Sequence, residues 1–160
     1  MRWTVIDSPI DRLSVAVDES GVCGVHFGAV DGAGEVAEPE PMLAAAVEEV
    51  RAYFAGELTD FTVPLSVRRG SDFERAVWQQ MSLIPYGEMR TYGEIAAAVG
   101  DPGAARAVGV ACNRNPIPVI VPCHRIVGAG GKLVGFGGGL PRKRFLLELE
   151  ARVALQRAWQ

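Results

Sequence analysis

Several things are scarce in this chain, and each scarcity narrows what it can be. Nowhere in its 160 residues does an apolar run approach the roughly 18 that a membrane span requires. The start, Met1-Arg2-Trp3-Thr4-Val5-Ile6-Asp7, lacks the apolar stretch behind a basic end that a secretion signal needs, so a soluble, cytoplasmic protein is expected. There are only 3 cysteines, Cys23, Cys112 and Cys123. An odd number without framework spacing excludes a disulfide scaffold and leaves at least one thiol unpaired. Cys23 and His26 form a C-x-x-H pair, but zinc takes four ligands and no second pair of suitable spacing exists, so both read as strand residues. Acidic residues are missing altogether from Pro102 to Leu147.

That last absence gives the net charge of -3 a different meaning. From Asp7 to Asp60 there are twelve acids against Arg12 and Arg51, whereas the acid-free stretch carries Arg106, Arg114, Arg125, Lys132, Arg142, Lys143 and Arg144. A block of seven cations without a carboxylate reads either as a solvated basic surface or as a footprint for a polyanion, since neutralising phosphates releases counterions.

With 49% hydrophobic residues the chain can bury a core as one domain or two small ones. Trp3 to Ile6, Leu13 to Val17 and Val22 to Phe27 are short β-rich runs separated by turn residues, and they predict a small antiparallel sheet. Gly28 to Pro41 reads as a loop, the apolar spacing of Met42, Leu43, Ala46, Val47, Val50 and Phe54 as a helix, and Phe61 to Val67 as a return to strand. These make a first domain over 1–68. A second, over 69–160, opens with Ser71 and Glu74 in capping-box spacing, repeats the pattern at Thr91 and Glu94, and then offers Gly100-Asp101-Pro102 as helix stop, N-cap and N1 of a third helix. Two short helices across a glycine turn have the form of a helix-turn-helix. Pro141 opens the last helix, with Phe145, Leu146 and Leu149 on its apolar face.

Cys123 stands between Pro122 and His124 at the end of the apolar run Val119-Ile120-Val121. A thiol attacks only as thiolate, so an adjoining imidazole suits a nucleophile, and a carboxylate would orient the imidazole in turn. Glu148 and Glu150 are the only carboxylates downstream. The alternative is a buried structural cysteine. Cys112 falls on one stripe of the third helix with Ala105 and Val108 and reads as core, while Arg106, Gly109 and Asn113 form a stripe that pairs a cation with a position lacking a side chain. Seven of the residues from Gly128 to Gly139 are glycine. Their unobstructed backbone suits a pocket for a planar base; the order of a phosphate-binding P-loop is absent.

Pro122-Cys123-His124-Arg125-Ile126 resembles the PCHR signature of the O6-alkylguanine-DNA alkyltransferases, and the likeness extends along the chain. Asp101 through Gly109, Asn115-Pro116, Gly138-Gly139-Leu140 and Leu146-Leu147 through Glu150 follow in that family's order and spacing, as do Asp7-Ser8-Pro9 and Tyr53-Phe54-Ala55-Gly56. The resemblance implies an α+β fold: a ribonuclease H-like antiparallel sheet with a helix, followed by a mostly helical winged helix-turn-helix domain. It implies that Cys123 accepts the alkyl group, that His124 is its water-linked base, that Glu150 orients His124, and that Asn115 ties the helix-turn-helix to the site. Tyr92 is expected against the target nucleotide and Arg106 inside the duplex in place of a flipped base. Thr91, Ala105, Gly109, Asn113 and Arg114 are expected to meet DNA, and Pro118, Ile126, Phe136, Gly137 and Gly138 to line the base pocket. The partner would be double-stranded DNA carrying O6-alkylguanine, and O4-alkylthymine too, approached through the minor groove by a monomer. No cofactor, metal or membrane is implied. Phe136 departs from the tyrosine found in many relatives and loses its hydroxyl. Three other readings compete: a lesion-binding protein without transfer, which the cysteine disfavours; a transcription regulator; and a cysteine hydrolase, which would turn over repeatedly.

Overall fold

The computed structural model describes residues 1–30, 40–136 and 138–159. The chain forms two compact units, one of Met1–Arg68 with Pro116–Ile120, the other of Arg69–Asn115 with Val121–Gln160. The short segment Pro116–Ile120, expected within the second domain, is thus grouped with the first. Among the described residues no helix is long and apolar enough to cross a membrane.

In the first unit, β1 (Arg2–Ile6), β2 (Leu13–Val17) and β3 (Val22–Phe27) pair antiparallel in the order β1-β2-β3. The central strand β2 is buried along its whole length. Its small residues make this possible: Ala16 and Gly24 sit side by side, and a Cβ on Gly24 would come within 3.1 Å of the Trp3 ring. Helix α1 (Pro41–Phe54) turns Leu43, Ala46, Val47 and Val50 inward as their spacing predicts, but Tyr53 rather than Phe54 completes the face, and Met42 and Phe54 are only partly covered. It packs on all three strands. Most of the loop expected between β3 and α1 lies outside the described residues.

The strand expected from Phe61 to Val67 does not form. Only an isolated parallel bridge joins Val22 to Leu65. Pro64 has no amide proton for a ladder, and the amides of Thr62 and Val63 donate instead to the Glu49 carboxylate at 2.8 and 3.1 Å.

The second unit is mostly helical. Both capping boxes are formed, Ser71 with Glu74 ahead of α2 (Asp72–Ser82) and Thr91 with Glu94 ahead of α3 (Tyr92–Ala98). Each stabilises its helix by about 1 kcal/mol, because it satisfies amides that the first turn leaves unpaired. Helix α3 ends in a Schellman turn: Gly100 takes φ +86°, its N–H bonds Ala97 O, and the Asp101 N–H bonds Ala96 O, each at 3.0 Å. This turn corrects the expected start of the next helix. Asp101 closes α3, so α4 (Ala105–Asn113) begins three residues later than the Asp-Pro pair suggested and has no side-chain cap. Helix α3 packs on α4, and the Trp78 Nε1–H of α2 donates to Ala111 O of α4 at 2.8 Å. A two-residue parallel pair joins β4 (Arg90–Thr91) to β5 (Ile126–Val127), and α5 (Leu140–Ala158) completes the unit.

Candidate active site

The segment carrying Cys123 is fixed before and after the sulfur. Pro122, at φ -83° and ψ 68°, is the centre of an inverse γ-turn, and the Cys123 N–H bonds Val121 O at 2.8 Å. Cys123–Arg125 form a single 3-10 turn that runs into β5. Asn115, at the end of α4, donates from Nδ2 to Val121 O at 2.8 Å, and its side chain also bonds the Cys123 thiol. Asn115 therefore spans the two ends of the excursion that the chain makes between α4 and the cysteine.

His124 is fully buried and lies with Nε2 2.7 Å from Glu150 Oε2. Of the two downstream carboxylates, Glu150 faces inward from α5 and Glu148 is exposed. Glu150 is also clamped by Arg125, with Nε 2.8 Å from Oε1 and Nη2 3.0 Å from Oε2. Burial alone would raise the Glu150 carboxyl, but hydrogen bonds and charge from His124 and Arg125 outweigh it and hold the group at about 2. Burial pushes His124 down, against the pull of Glu150, and pushes the Cys123 thiol up, against Asn115 and Lys143. At neutral pH the site thus holds a thiol, a neutral imidazole and an ionised carboxylate. The histidine proton belongs on Nε2, facing Glu150. His124 Nδ1 is buried without a protein partner, so it is the nitrogen able to take a proton.

A second buried cation acts on the charge of the sulfur. Lys143 is fully buried on α5 and donates from Nζ to Ile126 O at 2.6 Å, Val134 O at 3.2 Å and Gly135 O at 3.4 Å. Burial lowers its basicity, while interaction with Cys123 and Cys112 opposes that. Its ammonium ties β5 to the glycine-rich loop. The Tyr92 hydroxyl donates to the same loop, to Val134 O at 3.0 Å, and its ring lies 5.7 Å from the ammonium. Burial raises the Tyr92 hydroxyl to about 12, so it acts only as a neutral hydrogen-bonding group.

The remaining expected residues fall into distinct places. Arg106, Asn113 and Arg114 are exposed on or just after α4, with Ala105 and Gly109 partly covered; a Cβ on Gly109 would lie 3.8 Å from the Tyr92 ring. Arg114 is engaged by Glu74, with Nε 2.6 Å from Oε2. Thr91 caps α3. Ile126 meets the site through its carbonyl, while Phe136 and Gly138 lie partly covered on the glycine-rich loop. Gly137 lies outside the described residues, and Pro118 belongs to the segment grouped with the first unit. Cys112 is buried in the core, 3.8 Å from the Met81 sulfur.

Two of the seven cations read as a polyanion footprint are corrected by the structure: Arg125 and Lys143 point inward, held by Glu150 and by main-chain carbonyls. Lys143 shares the inward face of α5 with Leu146, Leu149, Glu150 and Val153, at spacings of 3, 6, 7 and 10 residues. Continuing the apolar stripe of that helix through the charged positions would have revealed Lys143 and told Glu150 from Glu148.

The chain also compares closely with known proteins. Residues 1–67 match the family described as 6-O-methylguanine DNA methyltransferase, ribonuclease-like domain, and residues 72–152 match its DNA binding domain. A methylated-DNA-protein-cysteine methyltransferase of Mycolicibacterium paratuberculosis is 49% identical over 95% of this chain and 93% of its own. One from Methanosarcina acetivorans is 48% identical over 94% and 98% respectively. The crystal structure of Mycobacterium tuberculosis OGT in complex with DNA superposes with a TM-score of 0.86 at 47% identity, covering 96% of this chain and 94% of that one. A buried Cys-His-Glu constellation, an α+β architecture and nearly full-length matches to both domain descriptions agree: this chain belongs to the 6-O-methylguanine DNA methyltransferase family.

Proposed function

We propose that the protein repairs DNA by moving the alkyl group of O6-alkylguanine onto its own Cys123, once per molecule. The observation that carries the reading is the constellation itself: a buried thiol next in sequence to a histidine whose Nε2 is 2.7 Å from the Glu150 carboxylate and whose Nδ1 has no protein partner. The Cys123 sulfur attacks the alkyl carbon in line with the bond to guanine O6. A carbon–sulfur bond forms as the carbon–oxygen bond breaks, and its electron pair leaves on the oxygen. The thiol proton passes through a water to His124 Nδ1, and guanine regains a proton as it leaves neutral. Nothing reverses the thioether, so the reaction is stoichiometric and requires no cofactor.

A base inside a duplex cannot reach a buried sulfur, so the target must be turned out of the stack, which costs roughly a few kcal/mol. Arg106, exposed on α4, is the side chain to fill the gap from the minor groove, with Ala105, Gly109, Asn113, Arg114 and Thr91 against the backbone. Tyr92 stands against the target nucleotide. Main-chain groups of Cys123 and Ile126 hold the guanine edge, with Phe136 and Gly138 around it. O4-alkylthymine, which presents the same alkyl-oxygen bond, is a second substrate. The protein acts in the cytoplasm as a monomer.

The test is intact-protein mass spectrometry after incubation with a duplex containing one O6-methylguanine. A gain of one methyl mass, mapped to Cys123 and absent in Cys123→Ser, is the expected result. Tight binding without a mass gain would reduce the function to lesion recognition, and repeated release of product would point to a hydrolase.

A further inference from the structure

Arg125 lies within the site, yet the transfer reading gives it nothing to do. Its side chain is 8% exposed and every edge of the guanidinium is occupied. Nε and Nη2 take the two oxygens of Glu150, Nη1 donates to Ile84 O at 2.7 Å, and the flat face lies 5.5 Å from the centroid of the Tyr86 ring. Glu150 Oε2 is therefore shared, between His124 Nε2 at 2.7 Å and Arg125 Nη2 at 3.0 Å. In a simple cysteine-histidine-carboxylate relay, the negative charge is available to stabilise an imidazolium. Here a group that never loses its charge has neutralised the carboxylate first.

We infer that Arg125 is a positioning residue that keeps the cysteine–histidine pair uncharged at rest: by clamping both oxygens of Glu150 it withholds full negative charge from His124, and the proton stays on Cys123. This rests on the Cys123-His124-Glu150 reading above. The arrangement suits a protein that spends its nucleophile once, because a standing thiolate would be consumed by any soluble electrophile. The other groups act on His124 in the same sense, although Lys143 favours a thiolate at Cys123. Lys143 on α5 also disfavours an imidazolium, and burial does so most strongly. Helix α2, which packs on the same 3-10 turn, buries only Val77, Trp78 and Met81. Tyr86 interacts with Glu150 but stays neutral, its hydroxyl raised by burial, and Cys112 remains a thiol, raised to about 12.

The experiment measures carbamidomethylation of Cys123 by iodoacetamide as a function of pH, without DNA, in the unaltered protein, Arg125→Met and Arg125→Lys. Arg125→Met should react roughly tenfold faster at about pH 7, with the midpoint of its rate curve about one pH unit lower. Arg125→Lys, which restores the charge, should stay within about twofold of the unaltered protein. An unshifted midpoint in Arg125→Met overturns the inference, and so does an equal shift in Arg125→Lys. Should Arg125→Met fail to fold, nitrogen NMR of His124 in the unaltered protein decides: a neutral ring protonated on Nε2 at about pH 6 is expected, and an imidazolium there overturns it. Methyl transfer from O6-methylguanine duplex is measured in parallel on the unaltered protein. Its absence would count against alkyl transfer itself, whereas transfer with an unshifted midpoint would count against Arg125 alone.

Discussion

Ser14 and Asp18 in the first unit and His124 and Glu150 in the second are all buried polar side chains, but their partners differ in kind. Ser14 Oγ donates to Gly28 O at 2.7 Å and accepts from Val30 N at 2.9 Å; Asp18 accepts from the amides of Ser20 and Gly21 and from Ser66 Oγ, with the half-exposed Arg68 guanidinium 3.6 Å away. Both secure the backbone of a turn. In the second unit both members of each ion pair are buried: Glu150 holds His124 and Arg125, and Lys143 lies close enough to Cys123 to affect its charge. Burying an ion costs several kcal/mol, and well-packed apolar residues serve stability as well or better. The first unit carries a core chosen for stability, whereas the second gives up stability to surround a sulfur with charges.

The largest effect should come from cutting the second network. Glu150→Gln leaves Arg125 buried without its anion, which should cost about 3–5 kcal/mol in urea unfolding and slow transfer to Cys123. The pH dependence follows from the same group. Glu150 is held at about 2 against an ordinary 4.5, so its contribution, roughly 3 kcal/mol, is complete above about pH 4.5 and is lost as pH falls towards 2. His124, held neutral by burial, adds a loss that begins below its ordinary value of 6.5. The variant should lose the lower of these two phases and keep the upper; an unfolding curve with both phases intact would remove Glu150 from the network. Leu13→Ala, in the fully buried strand of the first unit, should cost a comparable 2–5 kcal/mol, about that of other core leucines. It should leave the rate-versus-pH curve of the folded protein in place. A shifted curve would break the comparison by tying the first core to the second.

What could be read from sequence was local. The two capping boxes and the α1 stripe depend on residues within a turn or two of one another, and they appear as expected except that Tyr53 takes the place of Phe54 in the stripe. The strand reading of Phe61 to Val67 followed a real apolar alternation but could not see Glu49, thirteen residues away, take the Thr62 amide. Asp101-Pro102 has the form of a helix start, yet the Asp101 amide was already committed to closing α3. In the site, Cys123 and His124 stood out because they are neighbours. Spacing alone left Glu148 and Glu150 as alternatives and only the family resemblance named Glu150; the phase of α5 places Glu150 inside and Glu148 outside. Arg125 and Lys143 were read as surface cations because their partners, Glu150, Ile84 O and the loop carbonyls, are brought to them only by the fold.

The smallest expected effect separates the two kinds of cation that share the acid-free stretch. Arg125 is turned inward onto a carboxylate, whereas Arg106 is exposed on α4, and Arg114 near its end is drawn to Glu74. Truncating an exposed side chain away from caps and turns changes stability by no more than about 0.5 kcal/mol, so Arg106→Ala should unfold at an unchanged urea midpoint. Its role in place of a flipped base involves stacking worth about 1 kcal/mol, so methyl transfer from duplex DNA should slow roughly fivefold. Transfer from a free O6-alkylguanine base, which needs no flipping, should keep its rate and its pH profile. An equal loss on both substrates would move Arg106 from the duplex to the pocket, and a shifted pH profile would place it with Arg125 among the charges that govern the sulfur.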